Sequence, residues 1–495
     1  MWRNGTVFEF SGTGSAGGLL LVPLAIKPRP PMQMLSQVDA FCDDAVSELV
    51  EVGAVGEEVG HIAHTTRSGV YKRIAVVSLG EAGKIDEGKL RKASDRAARW
   101  LIAEGVKQAA LWIDGLMTQA VEAPVPEWAG AMTLAGFRFS EHREPDKDQV
   151  GTIRVRVASS DAAYVAAQMP RIREAVKIAE AVNYARWLAH QPANVINPKT
   201  LAAEARRLAR QHKLKCAVLD WTRLQRLGMG GLVAVGRGAE HKPCLIRLDY
   251  RGNPRARTST VLVGKAITFD TGGYSLKPAQ GLEALKFDKC GGAAVLGVVK
   301  AAAALRLPCN LVGLIAAAEN AVSQEAYRPG DIVRLASGKT VEVVSTDAEG
   351  RLVLADALWY AQKYCKPTTL IDIATLTGGV VTALGKVAAG LMSNDDALSA
   401  ALGESGRRTQ ERLWRLPLWE EYRELIKGQD ADLRNVGSKR HALPIVGGMF
   451  LREFVRAGVP WAHLDIAGPA TDEQDKEATG FGVRLLVDYL RRRVP

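Results

Sequence analysis

The stretch Ser345-Thr346-Asp347-Ala348-Glu349-Gly350-Arg351-Leu352 restricts this chain more than any other. Asp347 and Glu349 are two residues apart, so an extended backbone sends both carboxylates from one face, and Arg351 follows a glycine that lets the chain bend. Two acids aimed at one point attract cations. Taken alone, the octapeptide fits equally a surface turn in which Arg351 screens two exposed acids. A second cluster upstream favours a built site: Lys265-Ala-Ile-Thr-Phe-Asp270-Thr-Gly-Gly-Tyr-Ser-Leu-Lys277-Pro, continued by Asp288 in Lys286-Phe-Asp288-Lys. Before it, Thr260-Val-Leu-Val-Gly264 reads as a short buried strand, which puts Lys265 and Asp270 at and just beyond a strand's end, where α/β sheets place their sites. The fold must then bring two strand ends together, with Gly272-Gly273 permitting close backbone approach.

Four acids and two lysines suit metal-assisted hydrolysis. Two divalent cations roughly 3.5 to 4 Å apart need bridging carboxylates, lower the pKa of a shared water and stabilise both the attacking and the developing oxygen. Asp270, Asp288, Asp347 and Glu349 supply oxygen ligands. A lysine ligates only as the neutral amine, which burial beside two dications enforces, and Lys265 is the candidate. Lys277 and Arg351 then stay cationic and face the substrate, where a fixed positive charge stabilises a tetrahedral oxyanion. The histidines do not join this set. His61 and His64 lack an acid pair at ligand spacing, and His463 sits in a strand-like run as a core residue. A site of carboxylates and lysine without imidazole accepts harder ions, so Mn²⁺, Mg²⁺ or Co²⁺ are expected to replace Zn²⁺.

These residues resemble the leucyl (cytosol) aminopeptidases, a family of hexameric di-metal exopeptidases. The likeness runs collinearly over roughly the last three hundred residues. It passes through Asn197-Pro198, Met229-Gly-Gly-Leu-Val-Ala-Val-Gly236, both acidic clusters, Arg328-Pro-Gly-Asp331, Asp372-Ile-Ala-Thr-Leu-Thr-Gly378 and Trp461-Ala-His-Leu-Asp-Ile-Ala-Gly468. The resemblance implies that Asp270 and Glu349 bridge two metals, Zn²⁺ or Mn²⁺, that Lys265 and Asp288 complete the tighter site, and that Asp347 completes the more exchangeable one. It also implies Lys277 and Arg351 as the catalytic pair, Arg351 holding a bicarbonate that serves as base, and a homohexamer acting on peptides with a free N-terminus and a leucine-type preference. Two positions depart from the family. Ser345 stands where Asn is usual, which implies that an amide hydrogen bond is lost or taken over by water, and Leu285 replaces a common Met in the pocket for the first side chain. Lys289 and Ala239 also differ, without an evident consequence.

The expected fold is α/β. Residues 1–162 form a small N-terminal α/β domain, macro-like by the resemblance, in which strands near Leu19, Ile74, Ala109 and Thr152 alternate with helices such as Asp86 to Glu104. Residues 163–192 read as a linker helix without a turn signal before Gln191-Pro192. Residues 193–495 form the catalytic domain, with a mixed central sheet flanked by helices, opened by a helix capped at Asn197. A length of 495 residues exceeds a single core, in agreement with two domains.

Six widely spaced cysteines form no C-x-x-C pair, which argues against structural zinc and a disulfide scaffold and fits a reducing compartment. Cys290 reads as a small core residue at a helix start, although it lies two residues from Asp288. The apolar run Leu19 to Ile26 is broken by Pro23 and is too short for a signal segment, so a cytoplasmic protein is expected. Lys+Arg 65 against Asp+Glu 54 gives a net charge of +11, with Arg206-Arg207 and Arg491-Arg492-Arg493 among the denser places. That excess raises a nucleic-acid-binding protein as the alternative function. The interleaving of these arginines with acids and aliphatics favours a mildly basic enzyme surface. A di-metal phosphoesterase uses similar carboxylates but generally recruits histidine.

Overall fold

The computed structural model describes residues 5–12, 18–117, 121–144, 151–256, 259–439, 441–474 and 476–493. They form two compact units, Met1–Asn183 and Tyr184–Pro495, and the division falls inside the single long helix Ala162–His190.

In the first unit a six-stranded sheet is built from β1 (Val7–Ser11), β2 (Leu19–Leu24), β3 (Ile62–Thr66), β4 (Arg73–Ser78), β5 (Gln108–Trp112) and β6 (Thr152–Ala158), in the order β1-β6-β5-β2-β4-β3. β2 lies inside the sheet and is buried along its whole length, so its unbroken apolar run needs no polar face. Helices cover both sides. Glu87–Ala103 starts where the Asp86 carboxylate accepts from Lys89 N at 2.8 Å, and it buries Leu90, Ala93, Ala97 and Leu101, the face its spacing predicts. Helices Met32–Asp39 and Ala45–Glu51 pack on the opposite side, around Leu35, Val38 and Val46.

The second unit carries an eight-stranded mixed sheet and a three-stranded one. The strands are β7 (Lys215–Leu219), β8 (Cys244–Arg251), β9 (Thr260–Asp270), β10 (Asn310–Asn320), β11 (Ile332–Arg334), β12 (Thr340–Glu342), β13 (Thr369–Ala374), β14 (Ala389–Ser393), β15 (Leu413–Arg415), β16 (Leu433–Arg434) and β17 (Trp461–Asp465). The large sheet runs β15-β14-β17-β13-β9-β10-β8-β7, and the small one β11-β12-β16. The four central strands of the large sheet, β10, β9, β13 and β17, are mutually parallel, so Asn320, Asp270, Ala374 and Asp465 end at one edge. One face buries helices Gly350–Tyr360 and Leu443–Arg452, and helix Cys290–Leu305 lies almost wholly buried against β9, β10 and β13. Asn197 opens helix Pro198–His212 with a capping box: its side chain accepts from Thr200 N, and Thr200 Oγ1 accepts from Asn197 N.

Two local expectations are corrected. β9 does not stop at Gly264 but continues to Asp270, because β10 keeps pairing with it up to Asn320 opposite Asp270. The β13 ladder, in contrast, ends at Ile373 opposite Gly264, so Lys265 lies inside β9 and just past the last pair of that ladder. The second correction concerns Asp347 and Glu349. They sit in a turn that feeds helix Gly350–Tyr360, with Glu349 already in helical conformation, and strand alternation plays no part in their pairing.

Candidate active site

The turn and β9 bring the two clusters together. Carboxylate oxygens of Asp270, Asp347 and Glu349 lie within 4.8 Å of one another. Lys265 Nζ donates to Asp288 Oδ1 at 2.8 Å and pairs with Glu349 Oε1 at 2.7 Å. Lys277 Nζ pairs with Asp270 Oδ2 at 2.9 Å and with Asp347. Six of the seven predicted side chains therefore form one knot. Arg351, the seventh, lies in the first turn of helix Gly350–Tyr360, is 7% exposed, and donates from Nη1 to Asn435 O at 2.6 Å. It is no surface cation screening two exposed acids. Glu349 is 2% exposed, and only Asp347 opens to solvent.

Charges in the knot oppose one another. Burial and the neighbouring Asp270 carboxylate push Glu349 up, against the pull of Lys265 and Lys277, and burial raises Asp288 against the pull of Lys265. Burial also raises Asp347, which the Lys277 ammonium pulls the other way. Desolvation works against the Lys265 and Lys277 ammonium groups, but the carboxylates around each outweigh it and hold both well above the ordinary lysine value. Burial brings Arg351 down to about 10 while Glu349 and Asp465 resist. Lys289 is buried too, donating to Gln191 O at 2.8 Å and to Lys286 O, and burial lowers it to about 7.

Several polar residues that hold the knot carry no sequence signal of their own. Thr346, fully buried, donates from Oγ1 to Gly272 O at 2.6 Å and accepts from Ser275 N at 2.8 Å, latching the acidic turn to the glycine loop. Gly272 and Gly273 have φ of 84° and 63°, and a β-carbon on Gly273 would meet Thr346 Oγ1 at 2.9 Å. Asn320 Nδ2 donates to Asp270 Oδ1 at 2.8 Å and to Thr346 O at 3.0 Å. Thr375 accepts Lys265 Nζ on its carbonyl at 2.8 Å and donates from Oγ1 to Asp288 Oδ1 at 2.7 Å. Asp465 in turn steadies that loop, accepting from Leu376 N at 3.0 Å and from Thr377 Oγ1 at 2.7 Å. At the two family departures, Ser345 Oγ accepts from Asp347 N at 3.2 Å, and Leu285 lies half-buried in the 3₁₀ turn Leu282–Lys289.

The donor set fits divalent cations. Four carboxylates face two ammonium groups, Asp288 Oδ2 is buried with no hydrogen-bond partner among the described residues, and Asp288, Asp347 and Glu349 are driven toward protonation. Cations at these oxygens would relieve the repulsion and reverse the field at Lys265, favouring its neutral amine. The acidic cluster contains no histidine among the described residues, so the groups it offers a cation are hard carboxylate oxygens.

Known proteins share this arrangement of sequence. Residues 183–487 match the model of the cytosol aminopeptidase family, catalytic domain, and residues 24–145 that of its N-terminal domain. A probable cytosol aminopeptidase of Geobacter sulfurreducens is 42% identical over 477 residues, covering 93% of this chain and 94% of the relative. One from Cenarchaeum symbiosum is 39% identical over 460 residues, covering 91% and 92%. Among solved structures, the bottromycin maturation enzyme BotP in complex with Mn superposes with a TM-score of 0.84 at 32% identity, covering 96% of this chain and 99% of that one.

Proposed function

The chain belongs to the cytosol aminopeptidase family, whose chemistry is the metal-dependent release of N-terminal residues, and we propose that it hydrolyses peptides with a free N-terminus and a leucine-type first residue. The single observation that carries this reading is the convergence of Lys265, Asp270, Lys277, Asp288, Asp347 and Glu349 into one charged knot. In the proposal, Asp270 and Glu349 would serve both of two cations, Lys265 and Asp288 would complete the tighter site, and Asp347 would complete the exchangeable one. Mn²⁺ or Zn²⁺ is the preferred ion, with Mg²⁺ and Co²⁺ as substitutes. Bound there, the cations lower the pKa of a shared water and polarise the scissile carbonyl.

The remaining steps belong to the chain's own residues. Lys277, 21% exposed at its side chain and lodged between Asp270 and Asp347, presents a positive charge to the oxygen that gains charge in the transition state. Arg351 keeps a second cation in a water-poor surround, suited to hold a small anionic proton carrier such as bicarbonate. The exposed edge at Asp347 gives the substrate's free amine an acidic entrance, and Leu285 lines the pocket for the first side chain. A homohexamer, a cytoplasmic location, a connector over 163–192 and a catalytic domain from 193 onward complete the reading.

Release of leucine from a leucyl chromogenic amide, with and without Mn²⁺ and with an N-acetylated control, tests it. We expect Mn²⁺-stimulated release, none from the blocked amide, and a drop in kcat of about 10²- to 10³-fold in Lys277→Ala, the scale of a lost oxyanion donor. Asp347→Asn should lose activity while remaining folded by circular dichroism. Full activity in either variant refutes the assigned roles.

A further inference from the structure

We propose that Asn435 is a positioning residue for this site: a single side chain from a distant segment clamps the turn that carries Asp347, while its own carbonyl anchors the Arg351 guanidinium. The inference rests on the reading that Asp347 and Glu349 hold a cation.

The clamp begins in the small sheet. β12 pairs in parallel with β16, Val341 opposite Leu433 and Glu342 opposite Arg434, and both strands then stop. Asn435 is the next residue. Its N–H donates to Glu342 O at 3.0 Å, which adds one more rung. Val343 still pairs with the neighbouring segment, donating to Asp331 O at 2.9 Å and accepting from Gly330 N at 2.8 Å, and past it the chain enters the turn toward Glu349. The Asn435 side chain takes over as a substitute strand. Oδ1 accepts from Val344 N at 2.8 Å and Ser345 N at 3.3 Å, and Nδ2 donates to Ser345 O at 2.6 Å and Ala348 O at 3.5 Å. A carboxamide is the side chain that offers a donor and an acceptor side by side, as a peptide group does. Asn435 is fully buried, so water does not compete for these bonds.

The bonded groups flank the site closely. Ser345 and Ala348 bracket Asp347, whose own N–H reaches only the Ser345 hydroxyl among the bonds around it in the turn. Thr346 between them is pinned separately through Gly272, Ser275, Asn320 and Tyr327. Loss of the amide therefore loosens the two residues around Asp347 without releasing the turn from the body of the unit. The same segment carries the acceptor for Arg351, Asn435 O at 2.6 Å from Nη1, so the ligand turn and the buried cation are held by one residue. Groups that orient metal-ligating carboxylates typically matter by about 10- to 100-fold in metal affinity or rate.

The test compares Asn435→Ala and Asn435→Asp with the wild type in Mn²⁺ titration calorimetry, kcat and KM on the leucyl amide, and melting temperature in chelator. We expect the weaker Mn²⁺ affinity and kcat each to fall about 10- to 100-fold with little change in KM. Asn435→Asp should be no better than Asn435→Ala, because its carboxylate would face the carbonyls of Ser345 and Ala348. Wild-type Mn²⁺ affinity and kcat in both variants overturn the proposal, and so does rescue by Asn435→Asp. If neither variant folds, amide hydrogen exchange on the chelator-treated wild type decides. Protection of Val344 and Ser345 supports a preformed clamp, and free exchange there overturns it. A wild type that binds no Mn²⁺ and releases no leucine overturns the aminopeptidase reading instead, and the exchange result distinguishes the two failures.

Discussion

A β-carbon on Gly350 would stand 2.8 Å from Lys265 Cε and 2.9 Å from Nζ, and Lys265 has no room to yield because Asp288, Glu349 and Thr375 all hold it. Gly350 is helical, so its glycine serves the close approach of another chain segment and not the bend that the sequence suggests. Gly350→Ala ordinarily adds up to about 1 kcal/mol of helix stability. Here it displaces Lys265, one of the two lysines of the knot, and a shift of about 1 Å costs on the order of 10²-fold in rate. We expect reduced kcat and Mn²⁺ affinity and a lowered melting temperature, because overpacking of a buried site costs about 1 to 3 kcal/mol, more than the helix gains. Wild-type kcat in the Gly350→Ala enzyme would show that Lys265 does not need its present place. At this scale the charged residues were legible, since Lys265, Asp270, Lys277, Asp288, Asp347, Glu349 and Arg351 sit in motifs with paired acids and glycines. Asn320 and Asn435 lie outside every such motif and were not, while Thr346 and Asp465 lay within quoted stretches without a role of their own. A lone polar residue acquires its meaning only from what packs against it, and no local spacing announces that.

Among the elements, β13 and β17 carry a buried polar ladder of their own. Asp372 lies opposite His463 in the parallel register; it accepts from Trp461 Nε1 at 2.7 Å and meets His463 Nδ1 at 2.5 Å. All three are fully buried. Burial works to lower the His463 pKa, but the Asp372 charge and hydrogen bond, with Asp465 behind them, outweigh it and hold it above the ordinary value, with Arg351 opposing. The sign follows from linkage: a raised histidine contributes stability that is fully present below about pH 6.5 and fades as pH rises through the folded-state pKa. Breaking a buried ion pair costs about 3 to 5 kcal/mol. His463→Phe in chelator should therefore lose stability on that order near pH 5.5 in urea unfolding, and the gap to the wild type should narrow toward pH 8.5. A gap that does not change with pH would mean that the imidazole is neutral throughout. The reading of His463 as a core residue in a strand agrees with its place in β17. Long apolar runs announced β2, β9, β10 and β13, whereas β16, two residues long, has no periodicity to read.

Across the whole molecule, charge is distributed against the net sign. The chain bears +11, yet four carboxylates meet only two ammonium groups at the knot, and all of them belong to the unit Tyr184–Pro495. Arginines of the basic runs have nearby acids, Arg207 pairing with Glu204 and Arg492 with Asp488, and the adjacent Arg407 and Arg408 elsewhere pair likewise with Glu404. Exposed pairs of this kind contribute little to stability, whereas the uncompensated acids of the knot oppose folding until a cation joins them. A ligand that binds only the folded state stabilises it by RT ln(1 + [L]/Kd), about 2.7 kcal/mol at a hundredfold excess over Kd. Transfer from chelator to excess Mn²⁺ should then raise the melting temperature by a few degrees in scanning calorimetry. If the melt resolves two transitions, only that of the unit holding the knot should move, and Asp347→Asn should reduce the shift without abolishing it, since Lys265, Asp270, Asp288 and Glu349 remain. Equal melting temperatures in chelator and in Mn²⁺ would mean that the acids are balanced by the lysines alone, and that the convergence of charge in this unit serves the fold and not a metal.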